Sequence, residues 1–351
     1  MKILHIIGTR PQIIKLASVL NYKDSFFEHS IIDTNQHYED SMQKNLYRDF
    51  GIDLSAIKFL DSNKLLSNDI SSMFNLLSQE LNQIKPDIVF IYGDTNTTVA
   101  GALSAKLNNI PSVHIEAGLR SYLQMQIEET NRIIADELCD YLFCPTETAV
   151  SNLKKEKLDH KAFLVGDITL DIFLNTKPKK PSLINSDFLD DQYYLSTIHR
   201  KENLNNHSKL ENILNSLSTL SRVILPLHHS LKTKLIEINL YERVSNSIEL
   251  IDPLLYSEIL FLIKHSSGVI TDSGGLQKDA FWLELPVLTI RENTEWRETV
   301  DCGQNLLVNE FPVNLIDKFN SINITDINRH ELFGNGNAVL NIMNTVKEIF
   351  V

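Results

Sequence analysis

Three acidic positions in the N-terminal half stand where carboxylates could move protons. Asp94 follows Tyr92-Gly93, Glu116 follows His114-Ile115, and Glu128 opens the run Glu128-Glu129-Thr130-Asn131-Arg132. The first two come directly after apolar, β-branched runs, Asp87–Tyr92 and Ser112–Ile115, and so mark the exits of strands. Carboxylates at the ends of neighbouring strands converge on one sheet edge, and a third from the following loop can join them. Like charges held together raise one another's pKa, which suits acid and base work near neutral pH. Singly, each has a plainer reading: Asp94 as a helix cap, Glu128 as a charge favoured at a helix N-terminus. That reading weakens when all three fall where a parallel sheet places its ligand.

A second group of residues suits a phosphate. The run Ile3–Ile7 ends at Gly8-Thr9-Arg10-Pro11, with Lys15 one helical turn further on. Glycine allows the tight turn, proline suits the first helical turn, and arginine adds a fork of donors. A glycine turn with a solvated arginine accounts for this segment equally well. The strand Gly268–Thr271 leads into Asp272-Ser273-Gly274-Gly275 and a helix, where small residues let backbone N–H groups approach a diphosphate. Neither GxxxxGK[ST] nor GxGxxG spacing is present. Asp279, one turn into that helix, either accepts from ribose hydroxyls or favours the helix dipole. Ser196-Thr197-Ile198 runs into His199-Arg200, and Leu225-Pro226-Leu227 into His228-His229. Strand-end His and Arg suit phosphate oxygens. Neither histidine pair has a third ligand at metalloenzyme spacing, so no zinc site and no metal is expected. Trp282 and Trp296 read as packing residues.

The elements that must hold these groups alternate along the chain. In the first half, Ile3–Ile7, Ser30–Asp33, Asp87–Tyr92, Ser112–Ile115, Tyr141–Phe143 and Phe163–Val165 read as strands. Gln12–Leu20, Asp40–Phe50, Asn68–Ile84, Asn96–Leu107 and Glu147–Lys157 carry helical spacing. Near-continuous apolar strands alternating with helices imply a parallel sheet covered on both faces. The pattern pauses at Lys177-Pro178-Lys179-Lys180-Pro181 and the polar stretch to Asp191, read as a linker. It resumes with strands Tyr193–Ile198, Val223–Leu227, Ser247–Ile251, Gly268–Thr271, Val287–Ile290 and Asn305–Val308, with helices between. The amphipathic segment Ala338–Ile349 closes the chain. The fold class is therefore α/β, two Rossmann-like doubly wound domains around a central cleft: residues 1–176, and residues 177–337 with helix 338–351 packing back on the first.

Length and composition bound the possibilities. The chain has 351 residues, two domains at about 150 each. It is 43% hydrophobic, too apolar for disorder, and carries 33 basic against 45 acidic residues, a net charge of -12. Such a chain repels a phosphate backbone, so no nucleic acid is expected as a partner. The three cysteines, Cys139, Cys144 and Cys302, cannot all pair and show no CxxC spacing, which points to a reducing, cytoplasmic setting. No secretory leader is evident, since the N-terminal apolar run stops at Gly8, and no membrane association is expected.

Taken together and in order, Gly8-Thr9-Arg10-Pro11, Gly93-Asp94-Thr95, His114–Arg120, Glu128–Arg132, His199-Arg200 with Glu202-Asn203, and Thr271–Gln277 resemble the non-hydrolysing UDP-N-acetylglucosamine 2-epimerases. The resemblance runs from about residue 2 to 350. It implies a glycosyltransferase-B-like fold, a homodimer, a UDP-sugar as ligand, and inversion at C2 of a UDP-2-acetamido sugar without any cofactor. UDP leaves by anti elimination to a 2-acetamidoglycal and adds back after protonation on the other face. By the same resemblance Asp94, Glu116 and Glu128 are the catalytic carboxylates and His199 the catalytic histidine. Arg10, Lys15, Arg200, His228, Ser273, Gly274 and Gly275 hold UDP and its phosphates. Asp279 takes the place of a ribose-binding glutamate one methylene longer. Which carboxylate is the base is left open. Gln277–Ala280 and Thr294–Thr299 look more like the branch containing archaeal enzymes and epimerases of 2,3-diacetamido-glucuronic acid nucleotides. Gln36-His37 matches part of a segment beside a second, activating site in some bacterial members. Three other readings compete: a transferase on the same scaffold, which would need an acceptor; a hydrolysing epimerase, disfavoured by Pro11; and a silent nucleotide-sugar sensor, which would have no need of the carboxylates.

Overall fold

The computed structural model describes residues 1–36, 46–61, 65, 69–123, 125–182, 184 and 192–350. His37, most of the predicted helix Asp40–Phe50, and much of the predicted linker lie outside them; within that helix, residues 46–49 are helical. The chain divides into two units, Met1–Asn175 with His330–Val351, and Thr176–Arg329.

The first unit is built on a parallel sheet of seven strands: β1 (Lys2–Ile7), β2 (Glu28–Asp33), β3 (Ile57–Phe59), β4 (Ile88–Tyr92), β5 (Ser112–Ile115), β6 (Tyr141–Cys144) and β7 (Ala162–Leu164). Their spatial order is β3-β2-β1-β4-β5-β6-β7, so the winding reverses between β1 and β4. In doubly wound sheets such a reversal opens a crevice at the carboxyl ends of the strands. The loops leaving β1 and β4 are those carrying Arg10 and Asp94. The edge strand β3 escapes the sequence pattern because three residues, Ile-Lys-Phe, are too few to show a period.

The second unit repeats the design with β8 (Tyr194–Thr197), β9 (Val223–Pro226), β10 (Glu249–Ile251), β11 (Val269–Thr271), β12 (Val287–Thr289) and β13 (Asn305–Leu307). Their order is β10-β9-β8-β11-β12-β13, all parallel, with the reversal between β8 and β11. The loops after those two strands carry His199-Arg200 and the Ser273 turn.

Burial on both faces explains the apolar strands. In β1 and β4, Ile3, Leu4, Ile6, Ile7 and Ile88–Tyr92 are all fully buried. The C-terminal helix Ala338–Phe350 belongs to the first unit and buries Ala338, Val339, Ile342, Met343 and Val346. Asp171 accepts from the backbone N–H groups of Ala338 and Val339 at 3.1 and 2.8 Å, satisfying the start of that helix from outside it. Burial nonetheless pushes the Asp171 carboxyl up to about 6.

His5 is the exception in β1. It is fully buried, with Nδ1 2.7 Å from the Tyr92 hydroxyl and Nε2 2.9 Å from Nδ1 of His29. A buried ring without partners would cost about 1–3 kcal/mol, and this chain of three groups removes that cost. Burial holds both histidines below their ordinary pKa, with His29 adding repulsion at His5 and Lys23 at His29. Folded-state pKa values below about 6.5 mean that the unfolded chain takes up protons first as pH falls. The melting transition of the first unit, followed by calorimetry, should therefore be insensitive to these groups above about pH 6.5 and move down below it. Replacing His29 with glutamine should flatten that slope; an unchanged slope would contradict the assignment.

Candidate functional site

At the reversal in the first unit, a single glutamine joins the two loops. Gln12 is buried in the helix Arg10–Asn21. Its Oε1 accepts from the N–H groups of Gly8 and Thr9 at 2.8 and 3.1 Å. Its Nε2 donates to the Tyr92 carbonyl at 2.7 Å and the Thr95 hydroxyl at 3.0 Å. Both faces of one amide are thus used to fix the exits of β1 and β4.

Each of two predicted carboxylates meets a buried cation from another element. The Lys15 ammonium, one turn into the first helix, pairs with Glu116 after β5. Arg132, from the helix Ile127–Leu138, pairs with Asp94 through one nitrogen and with Glu129 at 2.9 Å through another. Asn131 adds a hydrogen bond to the Asp94 carbonyl at 2.9 Å. The expectation of bare like charges therefore gives way to two cation–carboxylate pairs. An ammonium has three donors, so Lys15 can meet Glu116 and still offer hydrogen to a phosphate. Gly93 bends between the pairs at φ +64°; a Cβ there would lie 3.4 Å from the Lys15 ammonium and 3.6 Å from Glu116. Glu116 itself has φ +74°, a left-handed backbone uncommon outside glycine and frequent where strain serves a site.

Neighbouring Glu128 and Glu129 have separate fates. Glu129 is buried and accepts from the backbone N–H groups of Ser121 and Tyr122, at 2.8 and 2.9 Å, and from the Ser121 hydroxyl. It is a structural anchor. Glu128 is partly exposed at the helix start, and no hydrogen bond or ion pair joins it to Asp94 or Glu116. Of the three predicted carboxylates, the structure thus ties Asp94 and Glu116 to the charge pairs and leaves Glu128 outside them.

In the second unit, Asp272 organises the strand ends. It is fully buried and accepts from the backbone N–H groups of His199 and Arg200, at 3.1 and 2.9 Å, and from the Asn203 amide at 3.0 Å. His199 Nδ1 lies 3.1 Å from its Oδ1. Burial works against the charge, but His199 and the surrounding donors outweigh it and hold Asp272 at about 2. The His228 ring stands 5.8 Å from that of His199. Its own Nδ1 is engaged by Ser230.

Ser273 caps the helix Gly274–Trp282. Gly274 leaves room for a neighbouring carboxylate: a Cβ there would lie 2.7 Å from Glu295 Oε1 and 3.2 Å from the Trp296 indole nitrogen, so the Glu295 side chain would have to shift. Glu295 is held by Arg291 at 2.7 Å, with Arg200 at 3.8 Å. Trp296 is buried, as the sequence suggests, but also lies 3.6 Å beneath the Lys278 ammonium. Gly275 is open on its Cβ side. Asp279 is buried, with Oδ1 accepting from the Tyr256 hydroxyl at 2.8 Å. Arg10 is partly exposed at the start of its helix. Among the described residues, no group of three or more His, Cys, Asp or Glu is placed to hold a metal ion, and no helix is long and apolar enough to cross a membrane.

The sequence profile of the UDP-N-acetylglucosamine 2-epimerases matches residues 21–347. The chain belongs to that family. It is 35% identical to the UDP-N-acetylglucosamine 2-epimerase of Methanocaldococcus jannaschii over 96% of both chains. It is equally similar, 35% over 96% of this chain and 97% of the other, to the UDP-2,3-diacetamido-2,3-dideoxy-D-glucuronate 2-epimerase of Pseudomonas aeruginosa. The M. jannaschii enzyme, solved in complex with UDP-GlcNAc and UDP, superposes with a TM-score of 0.88, covering 99% of this chain and all of that one at 34% identity. The fold is thus the glycosyltransferase-B-like α/β fold of these epimerases, with its two parallel sheets.

Residues that the sequence reading passed over are mainly partners of those it named. Gln12, Arg132 and Asp272 lie within the quoted motifs or one residue from them, and the i,i+3 spacing of Glu129 and Arg132 is a visible pairing signal. Glu295, inside the quoted stretch Thr294–Thr299, and Arg291 are distant in sequence from the Ser273 turn, and only the fold brings Glu295 beside Gly274. Asp272→Asn should destabilise the second unit by about 3 kcal/mol, the low end for breaking a buried charge pair. Both tryptophans of the chain, Trp282 and Trp296, lie in that unit, so urea unfolding followed by their fluorescence reads it directly. A midpoint like that of the unaltered chain would contradict the role given to Asp272.

Proposed function

We propose that the protein epimerises a UDP-2-acetamido sugar at C2, converting UDP-GlcNAc to UDP-ManNAc, without releasing the free sugar. One observation carries the reading most: carboxylates at the carboxyl ends of the adjacent strands β4 and β5, each paired to a cation, in a member of this family. C2–H of such a sugar is a poor acid. A base removes it while the C1–O bond breaks, its electron pair leaving on the β-phosphate of UDP and a C1=C2 double bond forming. Protonation of C2 on the opposite face and return of the UDP oxygen to C1 complete the inversion, so no atom is gained or lost.

Asp94, Glu116 and Glu128 share the proton removal and delivery. Arg10, Lys15, Arg200, Ser273, Gly274 and Gly275 hold the diphosphate, where fixed donors meet the charge that develops as UDP departs. His199, with Asp272 behind Nδ1, and His228 meet the same phosphates, and Asp279 meets the ribose. Arg132 belongs with the catalytic groups by its contact to Asp94. The protein works as a homodimer in the cytoplasm. The exposed side chains of Met125, Ile127, Ile133 and Ile134, on and just before one helix, support a covered face there. The second reading is the 2,3-diacetamido-glucuronate nucleotide as substrate. It is supported by the equal identity to the P. aeruginosa enzyme.

Incubation with UDP-GlcNAc in deuterated water should give UDP-ManNAc carrying deuterium at C2, read by mass spectrometry and NMR. Return of unlabelled UDP-GlcNAc alone, with turnover of the diacetamido uronate nucleotide, would decide for the second reading. Asp94→Asn, Glu116→Gln and Glu128→Gln should each lower turnover at least ~10²-fold, the low end for lost acid–base help. Near-normal rates in all three would remove the proposed roles.

A further inference from the structure

His114, in β5, is fully buried between two oxygens that can only accept. Its Nδ1 lies 2.7 Å from Asp136 Oδ1, and its Nε2 lies 2.7 Å from the Gly93 carbonyl oxygen. A neutral imidazole has one N–H and one lone pair, and a lone pair facing either oxygen at that distance would be repelled. Both contacts are hydrogen bonds only if both ring nitrogens carry hydrogen. The surrounding charges fit this state. Asp136 also pairs with Arg120 at 2.8 Å, and Arg120 continues to Glu156 through a bidentate contact. With an imidazolium, the fully buried Asp136 carboxylate meets a cation at each oxygen, His114 at Oδ1 and Arg120 at Oδ2. Burial opposes the Asp136 charge, but His114 and Arg120 overcome it and hold the carboxyl below its ordinary range.

His114 and Asp136 tie together the segments that carry Asp94, Glu116 and Arg132. The Gly93 carbonyl belongs to the peptide that leads into Asp94. The second oxygen of Asp136 accepts from the N–H of Gly118, two residues after Glu116, at 3.1 Å. Asp136 itself sits in the helix Ile127–Leu138, whose Arg132 and Asn131 grip the carboxylate and carbonyl of Asp94. We propose that His114 is a positioning residue, doubly protonated in the folded protein, whose imidazolium clamps the Gly93 peptide to Asp136 and so fixes Asp94 relative to Glu116. It touches no substrate. The kinetic part of this proposal rests on Asp94 and Glu116 being the reacting carboxylates; the protonation state does not.

Two measurements on the full chain test it separately. In protein labelled with 15N-histidine, the His114 ring, assigned by its loss in His114→Gln, should show a proton on both nitrogens, as its two acceptor contacts require. A ring nitrogen found without hydrogen in the folded enzyme would overturn the proposal whatever the activity. In steady-state assays, His114→Gln and Asp136→Asn should each lower kcat by ~10²-fold with KM changed less than about threefold, the pattern of misplaced reacting groups rather than lost binding. The double variant should fall little below either single one, since both break one clamp. Unchanged kcat in the single variants would overturn the positioning role, even with Asp94→Asn and Glu116→Gln inactive. If His114→Gln does not fold, Asp136→Asn still carries both readings, because it should shift the His114 signals as well as kcat.

Discussion

The constraint on which the first unit turns is charge compensation at a crowded strand edge. A parallel sheet brings the loops after β1, β4 and β5 together, and two of the groups they deliver are carboxylates. Two such charges near one another and partly shielded from water repel strongly. Here each is answered by a cation on a different element: Lys15 from the helix after β1 for Glu116, Arg132 from the helix after β5 for Asp94. Because the cations come from helices packed on the sheet, the carboxylates keep their places only while the helices keep theirs. The placing of these carboxylates and the packing of the helices are then one requirement.

The second unit meets the complementary need with one buried anion. Asp272 gathers N–H donors from His199, Arg200 and Asn203 and so shapes the turn after β8, while Ser273 beside it opens a helix. In our proposal that turn and helix hold the diphosphate, so an internal carboxylate arranges donors for an external anion. Glu295 extends the pattern by linking Arg291 and Arg200 close to Gly274. In each unit the groups of interest lie where the winding of the sheet reverses, the place where doubly wound sheets accept ligands.

Much of this was legible before any coordinates. Apolar strands buried on both faces make β1, β4 and β5 plain, and a helix is legible after Asp272-Ser273-Gly274-Gly275, although it begins two residues earlier than the apolar spacing from Leu276 indicates. Asp94 and Glu116 could be placed at strand ends for the same reason. What stayed hidden are relations set by tertiary packing. Nothing local says that Glu129 rather than Glu128 is the buried, saturated carboxylate, since the two are adjacent and chemically alike; the helix phase decides it. Gln12 shows no sign in sequence of joining two loops, and His114 reads as a half-hidden strand residue until its two acceptors are seen. Strand β3 stays hidden because Ile57-Lys58-Phe59 is too short to show a period. The boundaries of the second unit's short helices, such as Arg297–Asp301, are likewise set by contacts rather than by pattern.

The central claim is that the carboxylates act on a sugar whose bond to UDP is broken and remade during each inversion. Positional isotope exchange tests it most directly. UDP-GlcNAc labelled with 18O in the bridge between C1 and the β-phosphate is incubated with the protein, and the recovered nucleotide sugars are examined by 31P NMR. The account predicts that the label spreads from the bridge to the non-bridging β-phosphate oxygens, because free UDP can rotate before it returns. Inversion at C2 with the label retained wholly in the bridge would contradict it.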